Sequence, residues 1–217
     1  MAPITSIVVM GAPLPTMMEI RRSQSVGCLP LLPYTAMSIN AFSWIIYGLL
    51  KENINVWGTN LFGLIFSLYY MAEYCRFHSN PVVMNRHVQL TMITMMLITA
   101  LAIILPKTTA EKIIGTASVF FCIIMYAGPL ATIKLVIQTK SAQSIPPSFT
   151  AACLVNCSLW ISYGMDIRDF LIWSPNVLGL FFSTAQLGLI CVYGLEKSTA
   201  VKGSFSSKED VLGKESV

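Results

Sequence analysis

The chain has 217 residues, 55% of them hydrophobic and only 11% charged, with a mean hydropathy of +0.68 and a net charge of +4. Soluble domains carry about 25% charged residues, so this chain cannot cover a water-facing surface. That excludes an ordinary soluble enzyme and a disordered segment. No basic stripe accompanies the net charge, which excludes a nucleic-acid binder.

A membrane-spanning helix needs about 20 mostly apolar residues. Seven windows meet that need: 4–20, 31–50, 55–75, 88–105, 113–137, 146–165 and 169–194. The first holds Pro13, Pro15 and Glu19 and is expected to be a short, proline-bent span. It is not read as a signal peptide, since no basic stretch precedes it and no small-residue cleavage site follows a clean apolar run. Short breaks separate the windows. They are Arg21–Ser25, Lys51–Asn53, His78–Pro81, Pro106–Thr108, Thr139–Ser141 and Asp166–Asp169. Consecutive helices should therefore be antiparallel.

Lysine and arginine favour the cytoplasmic side of a membrane. With the N-terminus outside, the inner flanks hold Arg21, Arg22, Arg76, Arg86, Lys134, Lys140, Lys197, Lys202, Lys208 and Lys214. The outer flanks hold Lys51, Lys107, Lys112 and Arg168. The bias predicts an outer N-terminus and a cytoplasmic C-terminus. From about Glu196 the chain is rich in Ser and Lys with no apolar period, so a disordered tail is expected. Ser206 and Ser207 are candidate phosphorylation positions there, though a plain solvated tail is the simpler reading.

The chain aligns with itself, without gaps, at an offset of 116 residues. Ile7 meets Ile123, Pro13-Leu14 meets Pro129-Leu130, and Thr16 meets Thr132. Asn40 meets Asn156. Trp44-Ile45-x-Tyr47-Gly48 meets Trp160-Ile161-x-Tyr163-Gly164. Trp57 meets Trp173, Asn60 meets Asn176, Gly63-Leu64 meets Gly179-Leu180, and Phe66-Ser67 meets Phe182-Ser183. Apolar composition would align Leu with Ile, not Trp with Trp. The shift crosses four spans, an even number, so both units enter the membrane in the same direction. The predicted fold is all-α and membrane-embedded: seven transmembrane helices in two parallel three-helix repeats joined by a linker helix (3+1+3). The expected boundaries are 1–80, 81–110 for the linker, 111–195, and a tail over 196–217. Parallel repeats of this kind are a transporter plan, with a substrate site at the midplane between them.

Asn60 and Asn176 lie well inside spans, where an unpaired carboxamide is costly. Helix–helix adhesion is one reading. Because the two match, the preferred reading is a pair of arms that both donate and accept hydrogen bonds, which suits vicinal hydroxyls. Trp57 and Trp173 suit the membrane interface. Trp44 and Trp160 lie deeper, and their flat faces could hold a sugar ring. Asn40 and Asn156 stand four residues earlier on the same helix face. The lining is neutral, polar and aromatic. Pro13, Pro33, Pro129 and Pro146 recur in the first two helices of both units and are read as hinges. Glu19 and Glu73 are placed near span ends, within reach of water. No intramembrane carboxylate is evident, and ion-coupled carriers usually need one. The transport is therefore expected to be uncoupled. The cysteines are read as small apolar packers: Cys153-x-x-x-Cys157 lacks further metal ligands. Asn156-Cys157-Ser158 is a glycosylation sequon that should be silent inside a membrane. No metal and no cofactor is expected.

These residues resemble the SWEET family of facilitative sugar transporters. The first unit reads Ala12-Pro13-Leu14-Pro15-Thr16, Leu32-Pro33-Tyr34, Trp44-x-x-Tyr47-Gly48 and Asn60-x-x-Gly63. The second reads Tyr126-Ala127-Gly128-Pro129-Leu130, Thr139-Lys140-Ser141, Pro146, Trp160-x-x-Tyr163-Gly164, Asp169, Pro175-Asn176-x-x-Gly179 and Gln186. The resemblance implies bidirectional, alternating-access transport of mono- or disaccharides. It implies that Asn60 and Asn176 bind hydroxyls and that Trp44 and Trp160 flank the ring. Leu14, Leu130, Asn40 and Asn156 would line the pocket. Tyr47, Gly115, Tyr163 and Asp169 would form an outer gate, and Pro13, Pro33, Pro129 and Pro146 a proline tetrad. It also implies homo-oligomers; the plasma membrane is the expected location. The alternative carrier is a PQ-loop-type amino-acid exporter, disfavoured because no Pro-Gln dipeptide and no acidic coupling group occur. A non-transporting receptor would want a charged pocket, and an intramembrane enzyme would want an acid–base or metal set.

Overall fold

The computed structural model describes residues 2–27, 29–78 and 80–195; the expected tail, with Ser206 and Ser207, lies outside them. The described residues form α1 (Ala2–Met10), α2 (Leu14–Ser23), α3 (Leu32–Leu50), α4 (Ile54–Phe77), α5 (Pro81–Ile104), α6 (Lys107–Met125), α7 (Ala127–Thr139), α8 (Pro147–Asp166) and α9 (Phe170–Tyr193). The pairs α1–α2 (Ala2–Ser23) and α6–α7 (Lys107–Thr139) are each one apolar crossing broken in the middle. The described helices thus make the seven crossings that the sequence predicts.

Proline causes both breaks, because it lacks the N–H that the carbonyl four residues earlier needs. The two breaks differ in width. Around Pro13 a turn spans Gly11–Pro13, and the Leu14 N–H turns back to the Gly11 carbonyl. Around Pro129 only Tyr126 leaves the helix, and the Leu130 N–H still reaches the Tyr126 carbonyl at 3.1 Å. Pro33 and Pro146 correct the expectation of a kink inside the second helix of each unit. Pro33 is the second residue of α3, and Pro146 stands immediately before α8. Proline is tolerated at a helix start because the N–H it lacks has no helical partner there. The interior proline is Pro175, in α9.

The repeat holds at the level of single dihedrals. Asn53 and Asp169 cap α4 and α9 with φ/ψ of −108°/99° and −105°/100°, their side chains accepting from backbone N–H groups of the first turn. Before them Glu52 and Arg168 take φ of 54° and 55°. Both turns depend on a close approach: a Cβ on Gly48 would lie 2.6 Å from the Trp57 nitrogen, and one on Gly164 would lie 2.9 Å from the Trp173 nitrogen. That contact is why Gly and Trp recur together in the sequence.

The helices close into a ring in the spatial order α1–α4–α3–α6–α9–α8, with α8 returning to α1. Helix α5 stands outside the ring against α3 and α6. At the end carrying the α3–α4 and α8–α9 turns, the ring is shut over a core of Trp44, Tyr47, Ile114, Trp160 and Ile172. At the other end, α2 leaves the ring along α4 and α7 leaves it along α9, each within its own unit. A cleft of about 660 Å³ opens there, lined by residues that include Pro13, Pro33, Tyr34, Pro146 and Phe149. Glu73 departs from its expected contact with water. It is 8% exposed, and its Oε2 lies 3.1 Å from Arg21 Nε. A carboxylate taken out of water needs such a partner.

Candidate functional site

A cavity of about 170 Å³ lies at the centre of the ring, receiving side chains from all six of its helices. A single water needs only about 10–15 Å³, so the space suits a small solute. Its fourteen lining residues form seven pairs, each related by the 116-residue offset. Three pairs are identical: Asn40 with Asn156, Trp44 with Trp160, and Asn60 with Asn176. Four are not: Ser6 with Cys122, Met10 with Tyr126, Val56 with Ile172, and Thr59 with Pro175.

The tryptophans and asparagines are held across the unit boundary. Trp160 Nε1 donates to Ser6 Oγ at 2.7 Å, and Ser6 Oγ donates to Asn156 Oδ1 at 2.8 Å. Thr5 Oγ1 donates to the same Asn156 oxygen at 2.8 Å. In the counterpart, Trp44 Nε1 donates to Cys122 Sγ at 3.4 Å, and Cys122 Sγ donates to Asn40 Oδ1 at 3.3 Å. The first helix of each unit therefore fixes the indole and carboxamide of the other unit. Cys122 does more than the apolar packing expected of it: its thiol bridges two polar side chains.

Asn60 Nδ2 donates to the Val56 carbonyl at 2.9 Å, and Asn176 Nδ2 to the Ile172 carbonyl at 2.8 Å. Each bond satisfies one donor and fixes the side chain, leaving an amide oxygen and a second N–H for a solute. Tyr126 Oη donates to the carbonyl of Pro175 at 2.7 Å, tying the second break to the cavity wall of α9. Each Trp stands edge-on to a Tyr of its own helix: Trp44–Tyr47 at 5.5 Å and 87°, Trp160–Tyr163 at 5.6 Å and 83°.

Those two tyrosines shut the cavity at the closed end, again by crossing between units. Tyr47 Oη donates to Asp169 Oδ2 at 2.7 Å, and Tyr163 Oη donates to Asn53 Oδ1 at 2.8 Å. Asn55 Nδ2 adds a bond to Tyr163 Oη at 3.2 Å. The first crossing carries charge: Lys51 Nζ lies 4.0 Å from Asp169 Oδ2 and 3.5 Å from Glu111 Oε2. The offset pairs Lys51 with Ile167 and Asp169 with Asn53, so the second crossing is neutral at both positions. Gly115 makes room for the Tyr47 ring, since a Cβ there would lie 2.6 Å from both Tyr47 Cε2 and Leu171 Cδ1.

The structure thus brings Trp44, Asn60, Trp160, Asn176, Asn40 and Asn156 together around one space. It sets Tyr47, Tyr163 and Asp169, with Gly115 behind Tyr47, at the closed end. Leu14 and Leu130 stand apart from the cavity. Leu14 packs against a cluster that includes Met17, Tyr34 and Tyr70, and Leu130 is 52% exposed. Pro13, Pro33 and Pro146 border the open cleft, while Pro129 is half-buried outside its lining. Sequence reasoning passed over Ser6, Met10, Val56, Thr59, Cys122, Tyr126, Ile172 and Pro175 as cavity residues. The signal that finds them is the offset itself, applied to every neighbour of the matched positions. Among the described residues, no three His, Cys, Asp or Glu side chains gather to hold a metal ion.

The profile of a family described as "Sugar efflux transporter for intercellular exchange" matches residues 1–82 and 112–198. The bidirectional sugar transporter SWEET4 of Oryza sativa is 33% identical over 201 residues, covering 87% of this chain and 76% of its own. The sugar transporter SWEET1 of Mus musculus is 31% identical over 186 residues, covering 82% of each chain. A solved eukaryotic SWEET transporter superposes with a TM-score of 0.84 over 90% of this chain and 94% of that one, at 24% identity. With both repeats matched by the family profile and its fold shared with a solved relative, this chain belongs to the SWEET family of sugar transporters.

Proposed function

We propose that this protein carries neutral mono- or disaccharides across a membrane in both directions, by facilitated alternating access. The observation that supports it best is the central cavity. Two carboxamides, Asn60 and Asn176, each keep hydrogen-bonding capacity on the cavity side, and two indoles, Trp44 and Trp160, are fixed by bonds across the unit boundary. The carboxamides would bind sugar hydroxyls and the indole faces would flank the ring. Asn40 and Asn156 would orient the solute, each with an oxygen already bonded and an amide N–H₂ left to donate.

The working units are residues 1–80 and 111–195, with 81–110 as linker. The closed end faces outward, with the N-terminus outside and the C-terminus cytoplasmic, so the cleft opens toward the cytoplasm. Tyr47, Gly115, Tyr163 and Asp169 gate the outer end. Pro13, Pro33, Pro129 and Pro146 are the points about which the inner ends close. Leu14 and Leu130, beside two of those prolines, would bear on substrate size as the inner ends rearrange. The plasma membrane is the proposed location and a homo-oligomer the proposed assembly.

The test is uptake of radiolabelled glucose, fructose, galactose and sucrose by transport-deficient cells. Flux of at least one sugar is expected, with little response to an imposed proton gradient. Normal flux in both Trp160→Ala and Asn176→Ala would sink the site assignment, and a steep response to a proton gradient would remove uncoupled transport. A cystine or lysine current at acidic pH, with no sugar flux, would favour an amino-acid carrier instead.

A further inference from the structure

The helix breaks and the central cavity meet at two residues. Met10 ends α1 at the first break, and Tyr126 alone separates α6 from α7 at the second. The 116-residue offset relates them, and both line the cavity. The other lining residues stand in unbroken stretches of their helices.

The two side chains share no chemistry, one a thioether and the other a phenol, yet they are seated alike. Each rests on a glycine three residues after a cavity asparagine. A Cβ on Gly63 would lie 2.9 Å from Met10 Cε, and one on Gly179 would lie 2.7 Å from Tyr126 Oη. Residues three apart share one face of a helix. Asn60 with Gly63 on α4, and Asn176 with Gly179 on α9, therefore turn one face to the cavity and to the break. The recurring Asn-x-x-Gly has a physical reason: the asparagine borders the solute space and the glycine makes room for the break residue.

Each break is also hydrogen-bonded to that same helix. The Met10 carbonyl has lost its helical donor, because the Leu14 N–H turns to Gly11, and Tyr70 Oη of α4 donates to it at 2.9 Å. At the second break Tyr126 Oη donates at 2.7 Å to the carbonyl of Pro175, the residue before Asn176 on α9. The atoms differ, but in both units the break is tied to the helix that carries the cavity asparagine. Beyond the breaks, α2 and α7 run along those two helices.

We propose that Met10 and Tyr126 are positioning residues that couple the bound sugar to the two breaks, passing occupancy of the cavity from Asn60 and Asn176 to α2 and α7. The coupling rests on the sugar-transport reading. A solute shifts a conformational equilibrium only through contacts that differ between the two states. A side chain on an unbroken stretch travels with its helix and keeps its contacts. Met10 and Tyr126 stand where the helix path bends as the inner ends close, so a sugar touching them meets a different surface in each state. Occupancy then favours closure, and losing either residue leaves binding in place but slows the step that follows it.

The test is hydrogen–deuterium exchange by mass spectrometry on the full chain in lipid nanodiscs, with and without a saturating amount of the sugar that the wild type carries best, alongside flux in proteoliposomes. In wild type the sugar should slow exchange over both 14–23 and 127–139 by at least about twofold. Tyr126→Phe keeps the ring and removes its bond to Pro175. It should abolish the sugar response over 127–139, keep it over 14–23, and lower the maximal flux about threefold to tenfold, as the loss of one net hydrogen bond implies. Sugar affinity, read by tryptophan fluorescence, should stay within about twofold. Met10→Ala should abolish the response over 14–23 instead, and Met10→Leu, which keeps the bulk, should restore it. Thr132→Ala, which removes an exposed bond within α7, should change neither readout. Exchange over 14–23 and 127–139 that ignores a carried sugar, or variant effects spread evenly over the chain, would overturn the coupling and leave the transport reading intact. A wild type that carries no sugar would remove the transport reading, and the coupling with it.

Discussion

The central cavity and the two ends of the molecule keep the internal repeat to different degrees. Around the cavity every lining residue has its counterpart, and the groups best suited to touch a solute are identical pairs. At the closed end the geometry of the pair survives but the chemistry splits: Tyr47 meets a carboxylate backed by Lys51, and Tyr163 meets a carboxamide. At the open end the contacts themselves diverge, with Arg21 and Glu73 opposite Ile137 and Leu189. Symmetry is strictest where both units would grip one molecule. It relaxes away from the cavity, least in the crossings between units at the closed end and most at the open end, where each unit holds its own helices.

The largest expected effect tests the strict part. Trp160→Ala or Asn176→Ala should lower glucose uptake at least tenfold at unchanged surface expression: the first leaves Ser6 Oγ without its indole donor, and the second removes the amide proposed to bind sugar hydroxyls, each hydrogen bond lost from a buried group costing about 1–3 kcal/mol. The first-unit variants Trp44→Ala and Asn60→Ala should match them within about threefold. A loss confined to one unit would break the comparison, because it would make the second member of each pair a packing residue.

Next in size are the glycines that let both turns at the closed end form. Gly48→Ala and Gly164→Ala each drive a methyl into the backbone of a tryptophan, and overpacking of that kind costs about 1–3 kcal/mol. Both should lower the thermal midpoint in detergent to a similar extent. Gly188→Ala, with nothing within 4 Å of its added Cβ, should raise it, since Ala is preferred to Gly in a helix by about 1 kcal/mol.

The cavity was legible in the sequence to the extent that its pairs are identical. Trp, Asn, Gly and Pro recur visibly at a fixed offset, and they place the units, the turns and six of the lining residues. Ser6 and Cys122 escaped because the same task, bridging an indole N–H and a carboxamide oxygen, is done by two different atoms, oxygen and sulfur. Met10 and Tyr126 escaped because only their position is shared. Pro33 and Pro146 were visible as recurring prolines, but sequence alone does not tell a helix start from a helix interior when the preceding loop is itself apolar. Glu73 was expected to face water because its partner, Arg21, lies 52 residues away on another helix.

The split chemistry of the closed end gives the third test. Lys51→Ile alone leaves Asp169 beside Glu111 with no cation between them. The double variant Lys51→Ile/Asp169→Asn gives the first crossing the residues of the second. The single variant should be less stable than the double one by about 1 kcal/mol, a modest figure because Lys51 is partly exposed and screened. Thermal unfolding of both variants at low and high salt measures it. A double variant less stable than the single would mean that Asp169 has a role beyond the pair.

The smallest effect concerns Glu52, on the turn before α4, whose Oε1 accepts from Lys107 Nζ at 2.7 Å. That hydrogen bond, and then the lysine charge, hold the Glu52 carboxyl below its ordinary value of 4.5. A carboxylate with a depressed folded pKa contributes stability above its unfolded value and loses it as pH falls through the folded one. The contribution should therefore be constant from pH 5.5 to 8 and fade only in acid below about 4.5. Glu52 and Lys107 are both well exposed, so the difference between wild type and Glu52→Gln should be small at neutral pH, vanish in high salt, and vanish again in acid. The charged crossing at Asp169 lies beneath this turn and is far more buried, so its salt dependence should be weaker. If Glu52→Gln instead changed sugar flux between pH 5.5 and 8, the charges at the closed end would be part of the gate, and the line drawn between a neutral cavity and a charged rim would have to move inward.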